Sequence, residues 1–408
     1  MNFSSFSRVL FSAALLFSLM TQDARAAAED QVYQEDKGNV PAEAAVNWTM
    51  VEMHPTTTPQ LFQGGDNRYN LAYEMNLQSF NRAPMTVTEF VVLDADTGKE
   101  LWKLTGDDVA VRMMSTSGPK VNKLGCGESG LMFVNLVFDK QEEAPKKLKH
   151  RLVLKGNDMQ GHPCTNIVEG APLDVNMTPP VVIGPPFKGG NWIPGGGYDA
   201  TDGHRRALFP INNTLLAAQR FAIDWLKVDN SDMCVKGDIS KVDNYFGYGE
   251  PILAIADATV AGVVNRFENQ VPPKAVGDNL VHYPAGNSIV LDLGNGRYAM
   301  YAHLKPGSIK VKRGDKVKRG DVLANMGNSG NSSAPHLHLH IMDGPQILGS
   351  NGVPYYFEEF NVIREVPDMS DFDNHDGITA PMKTAQSKVA GKHTNQLVRQ
   401  GQIVAFPE

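Results

Sequence analysis

Apolar and polar positions alternate with a period of two along much of this chain. That spacing marks a half-buried strand, because successive side chains of a strand point to opposite faces of its sheet. The runs NLAYEMNLQSF, VTEFVVLDA and GLMFVNLVFD are strand-like in this way and are bounded by turn sequences such as DADTG and GDD. Their short, regular spacing predicts an antiparallel β-sandwich over residues 45–178. The pattern breaks in the Pro/Gly-rich stretch that includes VVIGPPFKGGNWIPGGGYDATDG, so residues 179–203 read as a linker. It resumes over residues 204–365 with QRFAIDWLKV, PILAIADATVAGVV, GNSIVLDLG and RYAMYAHL. Gly314, Gly320, Gly327 and Gly330 in this second unit suit tight hairpins that need positive φ. Residues 366–408 form a polar C-terminal tail in which GQIVAF alone has the makings of an added strand. The expected fold class is all-β: an N-terminal β-sandwich followed by an antiparallel β domain with glycine-rich hairpins.

One strand-like run carries imidazoles on its polar face. In GNSGNSSAPHLHLHIMD, His336, His338 and His340 fall on one side and Leu337, Leu339 and Ile341 on the other. At a rise of about 3.3 Å per residue, neighbouring histidines stand roughly 6.6 Å apart and the outer two roughly 13 Å apart. Two of them can share a site, and three cannot. A His-x-His strand after a glycine-rich turn points to metal binding or proton transfer, the two chemistries imidazole serves most often. His303 ends the alternating run RYAMYAHL, and QRFAIDW, taken as one strand, puts Asp224 on the face of Arg220 and Ala222. His54, His150, His162, His282, His375 and His393 have no ligand-like spacing and read as structural.

Composition narrows the class. With 42% hydrophobic and 20% charged residues the chain has ample material for two or three folded domains. Its net charge of -7 argues against nucleic acid as a partner, since phosphate neutralisation needs clustered Lys and Arg. The start, MNFSSFSRVLFSAALLFSLMTQDARAAAED, reads as a signal peptide over residues 1–26, with an apolar run too short to span a bilayer. No later run approaches about 18 apolar residues. The mature chain is therefore expected to lack a transmembrane segment and to be exported, either periplasmic or secreted. Export permits disulfides, and a bridge between Cys126 and Cys164 inside the sandwich is expected, leaving Cys234 over.

The second unit resembles the lysostaphin-like (LytM-type) zinc metallopeptidases, which cut peptide cross-links in bacterial cell walls. The likeness covers roughly residues 204–360 and is most specific in AHLKPGS, the RGD turns and GNSGNSSAPHLH. It implies one Zn2+ per chain, held by Asp224 and His338, with His303 and His336 flanking the attacking water and the scissile carbonyl. It also implies an exported zinc metalloendopeptidase acting on peptidoglycan or another extracytoplasmic peptide, and names no partner for the sandwich. Where the family has its first histidine ligand, four residues before the aspartate, this chain has Arg220, and a guanidinium has no lone pair to give. His204 or His340 is left to supply the third ligand, with His204 preferred. In the alternative, Arg220 pairs with Asp224 in the metal's place. The protein is then a metal-free pseudoenzyme that binds cell-wall peptide or activates another hydrolase.

Overall fold

The computed structural model describes residues 49–115, 118–119, 122–274, 283–369 and 379–408. The expected signal peptide, His282 and His375 lie outside the described residues.

Two antiparallel sheets face each other between residues 51 and 174. One runs in the order Val51–Pro55, Tyr69–Ser79, Ser129–Phe138, Met113–Ser115; the other runs Pro163–Asp174, Lys147–Asn157, Met85–Asp94, Glu100–Thr105. Leu71, Tyr73, Met75 and Leu77 from the first sheet and Leu148, Leu152 and Leu154 from the second are buried in a common core. This is the sandwich that the alternation predicts. His150 lies in that core, its Nε2 2.8 Å from the Tyr73 hydroxyl and its Nδ1 2.9 Å from the Ala171 carbonyl. The expected Cys126–Cys164 bridge is not formed, and all three cysteines are free thiols. Cys126 sits in an exposed turn leading into the first sheet, whereas Cys164 belongs to the edge strand of the second.

The second part is built on a twelve-stranded sheet. Its main path runs Val181–Ile183, Tyr355–Glu365, Gln402–Phe406, Gly189–Gly196, Ile223–Lys227, Leu337–Met342, Arg297–Ala302, Ser288–Gly294, Ala258–Val264, Lys316–Val317. Residues 179–203, expected as a linker, thus contribute two strands, and the tail contributes Gln402–Phe406 to the interior of the sheet. The reason is local. Gly189–Gly196 carries the fully buried Trp192 and Ile193, while its side-chain-free Gly195 and Gly196 lie beside Asp224 and Ile223. Phe62 and Ala72 of the sandwich enter the same apolar core as Phe221, Trp225 and Leu337. The Gln402 amide donates to the Gly65 carbonyl at 2.8 Å, and residues 50–408 pack as one compact unit.

Candidate metal centre

The central histidine strand, Leu337–Met342, is flanked by the aspartate strand, Ile223–Lys227, and by Arg297–Ala302. Register opposes His338 to Asp224 on one side and to Ala302 on the other. Opposed residues of an antiparallel pair share a face. Asp224 and His338 therefore project together while Leu337, Leu339 and Ile341 enter the core, as the alternation predicts. His338 Nδ1 lies 2.8 Å from Asp224 Oδ1, and His336 Nε2 lies 3.4 Å from the same oxygen. His303 stands one residue past its strand in the left-handed region, at φ 61°. That conformation costs a non-glycine residue on the order of 1–3 kcal/mol and persists where the surroundings over-determine it. Here the His303 amide donates to the Ala285 carbonyl at 2.9 Å and its Nδ1 to the Ser329 carbonyl at 2.8 Å. The His303 ring centre is then 4.6 Å from that of His336 and 5.9 Å from that of His338.

His204 comes from outside the sheet. The turn 199–206 is closed by Asp202, whose Oδ1 accepts the backbone N–H of His204 at 2.6 Å and of Arg205 at 3.3 Å. The turn brings His204 Nε2 to 3.1 Å from Asp224 Oδ2. Gly196 makes room for it: a Cβ there would lie 2.6 Å from His204 Nδ1, and the backbone has φ 79°. One nitrogen each of His204 and His338 and one oxygen of Asp224 lie within 4.8 Å of one another. His340 stands behind this group, with its Nδ1 3.0 Å from His338 Nε2.

Arg220 is elsewhere, which corrects the expectation that it shares a strand face with Asp224. Phe221 takes φ 66°, and the strand begins only at Ile223. The side chain of Arg220 turns away to the buried carboxylate of Glu74 in the sandwich, with Nε 3.3 Å from Oε1 and Nη2 bonded to Oε2. Neither Glu74 nor Asp202 was singled out in the sequence. The signal for Glu74 is an acid in the middle of the apolar run LAYEM, a position that demands a buried partner.

Burial works against charge throughout this cluster, and Asp224, joined at His204 by Asp202, decides who carries it. Burial would raise the Asp224 carboxyl, but His204 and His336 outweigh it and hold the group well below the usual carboxylate range. Burial would lower His204 and His336, and Asp224 raises both instead. For His303, burial and then the neighbouring imidazoles of His336 and His338 push the pKa well down. His340 is likewise pushed well down, by burial first and then by His338 and His204. Both His303 and His336 direct Nδ1 at a carbonyl oxygen, that of Ser329 and that of Ala334 at 2.7 Å. A carbonyl can only accept, so Nδ1 of each bears the hydrogen. The buried His336 Nε2 has no hydrogen-bond partner. Two pockets border the group and share His204 and Asp224, one lined further by Gln219, Met300 and Ser332 and the other by Gly195, Thr201 and Gln400.

Residues 240–350 match the family model described as peptidase family M23. The chain therefore carries a peptidase family M23 domain. The matched stretch contains His303, His336, His338 and His340; Asp224 and His204 lie before it and join the cluster through the fold. The glycyl-glycine endopeptidase ALE-1 of Staphylococcus capitis is 34% identical over 113 residues, which are 25% of this chain and 31% of that protein. The peptidoglycan DD-endopeptidase ShyA of Vibrio cholerae is 38% identical over 76 residues, 17% of each chain. The matched region thus spans about a third or less of these curated relatives. Among solved structures, the catalytic domain of lysostaphin from Staphylococcus simulans aligns with a TM-score of 0.22 and 22% identity, covering 41% of this chain and 88% of that one.

Proposed function

We propose that this chain is an exported zinc metalloendopeptidase that hydrolyses peptide bonds of peptidoglycan or another extracytoplasmic peptide. The observation that carries the reading is the convergence of His204, Asp224 and His338. Two nitrogens and an oxygen suit zinc, and ligands bound at about 2.0–2.1 Å in a tetrahedron stand roughly 3.3 Å apart. His204 Nε2 and Asp224 Oδ2, at 3.1 Å, already have that separation. Arg220, spent on Glu74, does not place its charge among the three. This removes the motive for a metal-free pseudo-site.

Bound zinc would supply Lewis acidity, polarising a carbonyl and lowering the pKa of water to about 7. The chain's own residues do the rest. His303, held neutral by burial and with its hydrogen on Nδ1, is ready to take a proton from the attacking water through Nε2 and return it to the leaving amine, whereas His336, whose pKa Asp224 raises, favours the protonated, donating form. Once protonated, either imidazole donates a hydrogen bond to the oxyanion. His338 Nδ1–H donates to Asp224 Oδ1 at 2.8 Å while its Nε2 faces His340 Nδ1 at 3.0 Å, so binding zinc through Nδ1 would release that proton. Two pockets that meet at His204 and Asp224 offer room for substrate on more than one side of the metal ligands, which suits cleavage within a chain. The likeness to endopeptidases that ALE-1 and ShyA are named for supports cell-wall peptide as the substrate class.

The test is elemental analysis of protein purified without a metal-affinity tag, alongside digestion of cell-wall peptides. We expect close to one zinc per chain, hydrolysis that a chelator abolishes and zinc restores, and loss of both in His338→Ala. A metal-free protein that releases no fragments even in added zinc would refute the reading.

A further inference from the structure

Of His204, Asp224 and His338, His204 alone is not held by the ladder of a sheet. Its chain neighbours are anchored to the sandwich. Arg205 is fully buried, and all five of its N–H groups are taken. Nε donates to Glu74 Oε1 at 3.0 Å, and Nη2 donates to the carbonyls of Tyr73 at 2.9 Å and Val134 at 2.8 Å. Nη1 bonds the Asn135 side chain and, at 3.0 Å, the Tyr198 carbonyl. Four of these five acceptors belong to the neighbouring sandwich strands Tyr69–Ser79 and Ser129–Phe138. The next residue, Arg206, lies over the Phe133 ring of the same sheet at 5.0 Å. Arg220 closes the arrangement by engaging Glu74 from the other side.

We propose that the N-terminal sandwich positions His204 for metal binding, with Glu74, Tyr73, Val134 and Asn135 acting through Arg205. The inference rests on the zinc reading above and goes past it: the sandwich becomes a working part of the metal site. A planar guanidinium with every donor fixed has no freedom to rotate or slide. The residue bonded to it in the chain inherits that fixity, so the His204 imidazole is presented to Asp224 and His338 without an ordering cost when the ion arrives. Asp224 and His338, paired across two strands, need no such anchor. Arg205 is a positioning residue, and its loss should act on the His204 contribution alone.

The experiment is a zinc-affinity cycle on the full chain, with Kd measured by competition against a chromophoric chelator. Wild type, Arg205→Met, His204→Ala and the double variant are compared, each first shown to be folded by near-ultraviolet circular dichroism. Arg205→Met leaves Glu74 paired with Arg220, so no carboxylate is stranded. We expect it to weaken zinc binding by about 10–100-fold, the usual effect of removing a group that supports a ligand. The double variant should bind no more weakly than His204→Ala. A merely structural role would lower the melting temperature while leaving Kd within about twofold, or would weaken zinc equally with and without His204; either result overturns the proposal. Should Arg205→Met fail to fold, Asn135→Ala removes a single acceptor and is carried through the same cycle, with a smaller loss expected that again vanishes in the His204→Ala background. A wild type that binds no zinc overturns the zinc reading and this inference together. A wild type that loses zinc with His204→Ala but not with the anchor variants overturns this inference alone.

Discussion

Acid should loosen the sandwich through one side chain, His150. Its imidazole is fully buried between Phe90 and Tyr73, and burial lowers its pKa from 6.5 to about 4, against a smaller upward pull from the Ala171 carbonyl. Above pH 6.5 the ring is neutral whether the chain is folded or not, and the shift has no effect on stability. As the pH falls below 6.5 the unfolded chain takes up the proton and the folded one resists it, so stability drains away until the folded ring titrates near pH 4. Two and a half pH units at about 1.4 kcal/mol each give a total loss of about 3.5 kcal/mol, of which roughly 2.5 is gone by about pH 4.5. Carboxylates titrate in the same range, so the measurement is a difference. Urea unfolding of wild type and His150→Gln is followed by tryptophan fluorescence at about pH 7.5 and about pH 4.5. The variant can keep one of the two hydrogen bonds and does not titrate. It should be the less stable protein at the higher pH, and the gap should shrink by about 2–3 kcal/mol at the lower one. A gap that stays constant between the two conditions would mean that His150 titrates as an exposed imidazole does, and the reasoning from burial would fail.

Two further outcomes test the site. Arg220→His, which rebuilds the histidine-to-aspartate spacing in the sequence, should bind no extra zinc and should cost roughly 2 kcal/mol through the lost bonds to Glu74; tighter zinc binding with unchanged stability would show that residue 220 faces the metal after all. Gly196→Ala puts a methyl group 2.6 Å from His204 Nδ1 at a backbone φ of 79°, so chelator competition should report weaker zinc binding, and wild-type affinity would mean that the His204 turn has room to retreat.

Much of this was legible in the sequence because alternation is local. The two faces of Leu337–Met342 follow from side-chain direction alone, whereas which strands lie beside it does not. The placement of Arg220 was not legible, since it depends on the positive φ of Phe221, after which the strand begins only at Ile223 and leaves Arg220 outside it. His204 could be singled out only by asking what remained to replace a missing ligand. Glu74 lay further out of reach: its partners are 131 and 146 residues away, and nothing near it hints at them. The glycines and prolines of residues 179–203 misled for a related reason. In isolation they signal a loop, whereas here Gly195 and Gly196 serve close backbone approach inside a sheet.

The strand Gln402–Phe406 has a consequence for timing. It lies between Tyr355–Glu365 and Gly189–Gly196, and it brings Val404 opposite Trp192, more than two hundred residues away in the chain. Gly189–Gly196 is in turn the strand on which the Asp224 strand is laid. Pairings across such separations form slowly, because the entropy of closing the loop is spent before any contact is gained. A chain still collapsing has its histidines but no shared face to hold them. On the proposed function, hydrolytic competence would arrive only with the completed sheet.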